Sequence, residues 1–127
     1  MLEVKNAFFC DAAIADSSGK VSVLGIFTNI NAKQFPAKHP NMTLVAIIEG
    51  HRIEAGLHQI KIDIVDSDGH NIVKPIEGTF EIAPNRTTAN FILSLQQTTF
   101  TKPGTYSADI AVDKRHLRSV TLNVVQV

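Results

Sequence analysis

Tryptophan is absent from these 127 residues, and cysteine and tyrosine occur once each. A lone thiol cannot close an internal disulfide, which excludes a disulfide-stapled scaffold and suits a reducing compartment. An excess of one charge is also missing, since twelve Lys and Arg offset twelve Asp and Glu. Such a chain lacks the phosphate-neutralising surplus of a general polyanion binder, so nucleic acid is not the expected partner. Long apolar runs are missing too. The longest uncharged one, Leu44 to Ile48, is far short of a bilayer span. Glu3 and Lys5 interrupt the first stretch, and neither end carries a lipidation motif. The expectation is a cytoplasmic protein without a leader or membrane contact.

What is present points to a folded domain. Hydrophobic residues make up 44% and charged residues 19%, which disfavours disorder. At 13.9 kDa the surface scaling laws give roughly 6,700 Å² when folded against about 20,000 Å² unfolded. One domain spanning residues 1–127 can therefore build a core without staples. The 25 Val and Ile outnumber eight Leu, and ten Thr join them. That β-branched bias favours strands. No segment shows a helical period, whereas alternation with period 2 recurs. His58, Ile60, Ile62 and Ile64 share one face of a strand over residues 57–66. Tyr106, Ala108, Ile110 and Val112 do so over 105–113, and Val120, Leu122 and Val124 near the end.

Turn signals divide these runs at the spacing of an all-β domain. They fall at 16–19 (DSSG), 66–69 (DSDG), Pro84-Asn85, 101–104 (TKPG) and 114–117 (KRHL). Residues 32–41, with Pro36 and Pro40, read as the longest loop, and Pro75 with Gly78 as a bend or bulge. The result is about eight strands, an antiparallel immunoglobulin-like β-sandwich, with a small closed barrel as the alternative. The run from Phe100 to Asp113 resembles the final hairpin of immunoglobulin-like domains, without the Trp and paired Cys of antibodies.

The order of short motifs in the first two thirds carries a second resemblance. Phe9-Cys10-Asp11 is followed by Gly19-Lys20, Leu24-Gly25-Ile26-Phe27, Phe35-Pro36, Gly56-Leu57-His58 and Asp66-Ser67-Asp68-Gly69. This series resembles a family of small uncharacterised bacterial β-sandwich proteins, a domain of unknown function. The resemblance implies a bacterial β-sandwich. It transfers no catalytic or binding residue.

No motif carries chemistry. Asp66, Asp68 and Gly69 resemble the start of a calcium loop, but the later acidic ligands are missing and a turn with capping aspartates is the stronger reading. His39, His51, His58, His70 and His116 lack zinc-site spacing. His58 lies on an apolar strand phase and reads as a satisfied histidine, while Cys10 reads as a small buried hydrophobe. No phosphate loop, nucleophile elbow or paired-carboxylate motif occurs. The chain is therefore expected to be non-enzymatic, with no cofactor and no metal.

Two features remain. Arg52, Arg86, Arg115 and Arg118 fall in expected loops, and turns two strands apart emerge at one end of a sandwich. Arg86, Arg115 and Arg118 should share an end with Lys114 and His116, and Arg52 joins them if the Pro75 region is a single strand. Solubilising charge is the simpler reading; an anion or acidic-partner site is the functional one. Some strands, moreover, are apolar on both faces. Val21 and Val23 oppose Leu24 and Ile26, Phe8 and Cys10 oppose Phe9, and Met42, Leu44 and Ile48 oppose Val45 and Ile47. A two-layer sandwich wets its outer faces, so this pattern demands a cover, either the 32–41 loop or a second copy. The first expectation is a module that acts by protein contact and self-associates through a face bearing Phe9, Val45 and Ile47. The alternative is an anion, nucleic-acid or small-ligand binder that uses the arginine loops.

Overall fold

The structure, a computed structural model, describes residues Met1–Val127. Nine strands form two facing sheets. In chain order they are β1 (Glu3–Ala15), β2 (Val21–Phe27), β3 (Asn29–Ala32), β4 (Ala37–Glu49), β5 (Gly56–Val65), β6 (Ile76–Ile82), β7 (Thr88–Phe100), β8 (Gly104–Val112) and β9 (Arg115–Gln126). One sheet has the order β2-β1-β4-β7 and the other β3-β9-β8-β5-β6. The chain crosses between sheets at β2–β3, β3–β4, β4–β5, β6–β7 and β7–β8, as a sandwich requires. A single turn of 3₁₀ helix at Arg52–Glu54 is the only helical piece. No helix is long and apolar enough to cross a membrane.

The core lies between the sheets. Met42, Leu44, Ala46 and Ile48 of β4 face Ile60, Ile62 and Ile64 of β5 and Tyr106, Ala108, Ile110 and Val112 of β8 within one buried cluster. The strand phases read from alternation are therefore the phases in the fold. The resemblance of the closing hairpin to immunoglobulin-like domains also holds in geometry. Tyr106, near the start of β8, donates its hydroxyl to the Lys102 carbonyl at 2.6 Å, the tyrosine corner of that architecture.

Several boundaries differ from the sequence reading. The sheets are antiparallel except at one edge, where β3 runs parallel to β9. Pro40 lies inside β4 and not in a long loop. It is tolerated because β1 pairs with β4 only from Thr43 to Glu49, so near Pro40 that flank of β4 is an open edge. Pro75 and Gly78 do not break β6, which pairs with β5 in one register from Ile76 to Ile82. Gly78 faces the Phe91 ring of the opposite sheet. The last hairpin turns at Asp113-Lys114, with φ of 50° and 68°, the positive pair of a type I′ turn. Arg115, His116 and Arg118 thus belong to β9 and not to a loop.

Candidate functional site

The β1–β2 hairpin is longer than its sheet needs. β1 pairs with β4 only up to Cys10, and residues 11–20 continue as a two-stranded arm with β2. Its tip is a tight turn built by Asp16, whose Oδ1 accepts the amides of Ser18 at 2.8 Å and Lys20 at 3.0 Å. The Ser18 hydroxyl and these amides hold the Asp16 carboxyl below its ordinary range. Gly19 supplies the φ of 88° that the turn needs. The arm leaves the sheet at Gly25, whose φ is 65°. A Cβ there would run into the Asp11 carboxylate.

Beyond that point the arm folds back over the outer face of its own sheet. The Asn90 side-chain amide donates to Gly19 O at 2.9 Å, and Arg86 donates to Ser18 O at 3.2 Å. Asn90 is cross-strand from Ile47 on the outer face of β7, and β4 lies between β1 and β7. The tip can reach it only by crossing β4. This explains why Val45 and Cys10, which are outside the inter-sheet cluster, show 0% exposure. Burial and the neighbouring Asp11 charge raise the Cys10 thiol pKa, which suits an inert packing role. The cover demanded by the two-sided strands is thus the chain's own arm, and the 32–41 segment does not supply it. Among the residues expected on a contact face, Phe9 points into the core and stacks on Phe27. Val45 lies under the arm, and Ile47 is half-buried beside it.

The arm itself carries the exposed apolar surface. Ala13, Val21 and Val23 are half-buried, whereas Ile14, Leu24 and Ile26 are 69%, 71% and 61% exposed. Leu24 is cross-strand from Ala12 and Ile14 from Ser22, so Leu24 and Ile14 share the arm's wet face, while Ile26, cross-strand from Cys10, is exposed at the root of the arm. β2 pairs only with β1 and leaves its other edge open. The sequence signal for this site was the double-sided apolar pattern of Val21–Ile26; the side that stays wet could not be read from it.

The arginine-bearing segments do gather at one end. Gly50 N donates to Thr87 O at 2.8 Å, which joins the β4–β5 and β6–β7 connections that hold Arg52 and Arg86. The N-terminal ammonium meets Glu54 at 2.9 Å, and Arg115 reaches the Met1 sulfur at 3.2 Å. Arg118 donates to the carbonyls of Val4 and Lys5 at 3.0 and 3.2 Å, where β1 bulges. No arginine pairs with a carboxylate. Arg86 ties the arm, and Arg118 caps the bulge.

His58 clamps this same end. Its Nδ1 lies 2.6 Å from Asp113 Oδ2 and its Nε2 lies 2.6 Å from Glu54 O. Both partners only accept, so both ring nitrogens carry protons and the ring is an imidazolium. Burial pulls the His58 pKa down, but the bonds to Asp113 and Glu54 outweigh it and the net shift is upward. The His58 bond and the Gln59 amide lower that of Asp113. The same two bonds explain an aspartate at positive φ in the β8–β9 turn. A satisfied histidine was legible on its strand phase, but its partner 55 residues away was not.

Two further clusters are accounted for. Asp66 Oδ1 accepts the amides of Asp68 and His70, each at 2.9 Å, which repeats the Asp16 turn. Asp68 pairs with Lys102 at 3.1 Å. The outer face of the five-stranded sheet holds a shallow polar groove of about 750 Å³. Beside it the Ser119 hydroxyl donates to Asp109 at 2.7 Å, and His116 Nε2 lies 2.9 Å from the Ser119 oxygen. Serine sits between histidine and aspartate, the reverse of an activated triad, in which the histidine takes the serine proton.

A protein-family model described as a family of unknown function (DUF6941) matches residues 5–125. The chain belongs to this family. No curated protein matches this DUF6941 chain. Among solved structures, it is similar to Pseudomonas fluorescens alkylpurine DNA glycosylase AlkC bound to DNA containing an abasic site analog. Identity is 15% and the TM-score 0.54, over 98% of this chain and 30% of that one. The DUF6941 domain thus spans under a third of the glycosylase, and the likeness is one of fold. An immunoglobulin-like protein from Pseudomonas aeruginosa aligns at 11% identity and TM-score 0.44, over 98% of this chain and 96% of that one.

Proposed function

We propose that this domain is a non-enzymatic contact module of the bacterial cytoplasm that associates with a second copy of itself through the β1–β2 arm. The observation that carries the reading is the arm's wet side, where Ile14, Leu24 and Ile26 are each more than 60% exposed beside an unpaired strand edge. The total surface supports it. At 7545 Å² it exceeds by about 900 Å² the value expected for a monomer of this mass. One partner of a standard interface contributes roughly 800 Å². The Ser119 hydroxyl, committed to Asp109, supports the non-enzymatic part. Light scattering should give twice the 13.9 kDa chain mass, and Leu24→Lys should return it to one chain. A wild type that stays monomeric at high micromolar concentration overturns the reading.

A second reading takes the arginine end as an anion site, favoured by guanidinium groups that lack carboxylate partners. Phosphate should then shift the backbone amides of residues 84–87 and 113–118 in an NMR titration. Unmoved amides remove it.

A further inference from the structure

We infer that the second copy docks edge to edge, β2 against β2, about a two-fold axis at Leu24. This rests on the self-association reading and gives it a register.

Asp16 N donates to Lys20 O at 2.9 Å, so these two residues face each other as a bonded pair. Alternation along the antiparallel ladder turns the main-chain groups of Ser22, Leu24 and Ile26 toward β1. Those of Val21, Val23 and Phe27 turn toward the open edge. An incoming antiparallel strand must therefore match odd positions with odd positions. A two-fold at Leu24 does so: Val21 opposes Phe27 of the second copy, and Val23 opposes its Gly25. It is also the register in which the whole strand Val21–Phe27 finds a partner.

The edge carries little protection against such pairing. Natural sheets blunt their edges with lysine, proline, inward charge or a bulge. Val21–Phe27 (VSVLGIF) has no lysine, proline or charge, and its one irregularity is the bend at Gly25, φ 65°. The flanking Lys20 falls opposite Thr28 of the second copy, so no like charges meet. A two-fold shifted to Ser22 would set Lys20 against Leu24, and one at Lys20 would set the two lysines together. On the wet face, Leu24 lies against Leu24 and each Ile26 lies against Ser22. The Ile14 side chains on the adjacent strands extend the patch. The exposed apolar surface is on the order of 300–400 Å² per copy, within the range of the largest, often functional, patch on a small protein. Two such patches plus the paired main chains reach the lower bound of ~1,000 Å² for a biological interface.

A cysteine scan tests the register. At a two-fold centre the two Cβ atoms lie about 4.5–5.5 Å apart, close enough for a disulfide with slight adjustment. Leu24→Cys should oxidise to a covalent dimer on a non-reducing gel about tenfold faster than Ser22→Cys, whose thiol faces isoleucine. The native Cys10 is fully buried and does not compete. A wild type that is monomeric by light scattering overturns both the association and the register. A dimeric wild type overturns the register alone if Ser22→Cys cross-links as fast as Leu24→Cys, or if Leu24→Cys does not cross-link.

Discussion

Ile62 sits in the middle of β5 with no exposed surface, inside the cluster between the sheets. Truncating it to alanine should cost about 2–5 kcal/mol, the range for a core isoleucine that leaves a cavity. A urea midpoint equal to wild type would refute that placement. His58 makes a pH-dependent contribution whose sign follows from its bonds. Its pKa is raised in the fold above the ordinary 6.5. The stabilisation is therefore complete below that ordinary value and fades as pH rises through the folded one. Asp113, lowered from 3.8, contributes above its ordinary value and loses that as pH falls through its folded one. The pair should be strongest between roughly pH 4 and 6.5. Urea midpoints measured from pH 5.5 to 8.5 should fall more steeply for wild type than for Asp113→Asn. Parallel curves would mean that the clamp does not set this dependence.

At the scale of elements, the arm is the departure from a plain sandwich. Two side-chain bonds hold its tip, from Asn90 to Gly19 O and from Arg86 to Ser18 O. Cys10 reports whether it is down, because the thiol lies on the covered face with 0% exposure. Replacing Asn90 and Arg86 together with alanine should lower the cost of local opening. Native-state labelling of Cys10 by a disulfide reagent should then speed up on the order of tenfold, with strand content unchanged. Equal labelling rates would place the cover elsewhere. The turns show how far local sequence reaches. DSSG at 16–19 and DSDG at 66–69 fold alike because the aspartate side chain and glycine's positive φ are local properties. The turn at Asp113-Lys114 was not legible in the same way. Its positive φ angles rest on His58 and Gln59, which belong to another strand.

For the whole molecule, two lysine substitutions on the same sheet should separate folding from association. Ile47 is half-buried beside the arm, so Ile47→Lys should destabilise the monomer by on the order of 1–3 kcal/mol. Leu24 is 71% exposed, so Leu24→Lys should change stability by no more than about 0.5 kcal/mol, as exposed sites do. Its effect belongs to mass, read by light scattering. Chemical unfolding of both variants, followed below the association concentration, checks the contrast. Equal losses would mean that the arm does not shield Ile47 from water.

Composition and alternation were enough to set the fold class and most of the strand phases. β-branched residues alternating with period 2 can bury one side only as strands, and Ile60, Ile62, Ile64, Tyr106, Ile110, Val112, Leu122 and Val124 are buried as that period requires. Alternation also showed that Val45 and Leu24 could not both face water without a cover. Which of them stays covered was a tertiary decision. Val45 lies on a central strand, and the arm bends back over it at Gly25, closed by contacts from β7 and the β6–β7 turn about 70 residues away. Leu24 is on the arm's far side, beyond the reach of anything else in the chain. Alternation assigns residues to two faces, but only the path of the chain in space decides which face meets water.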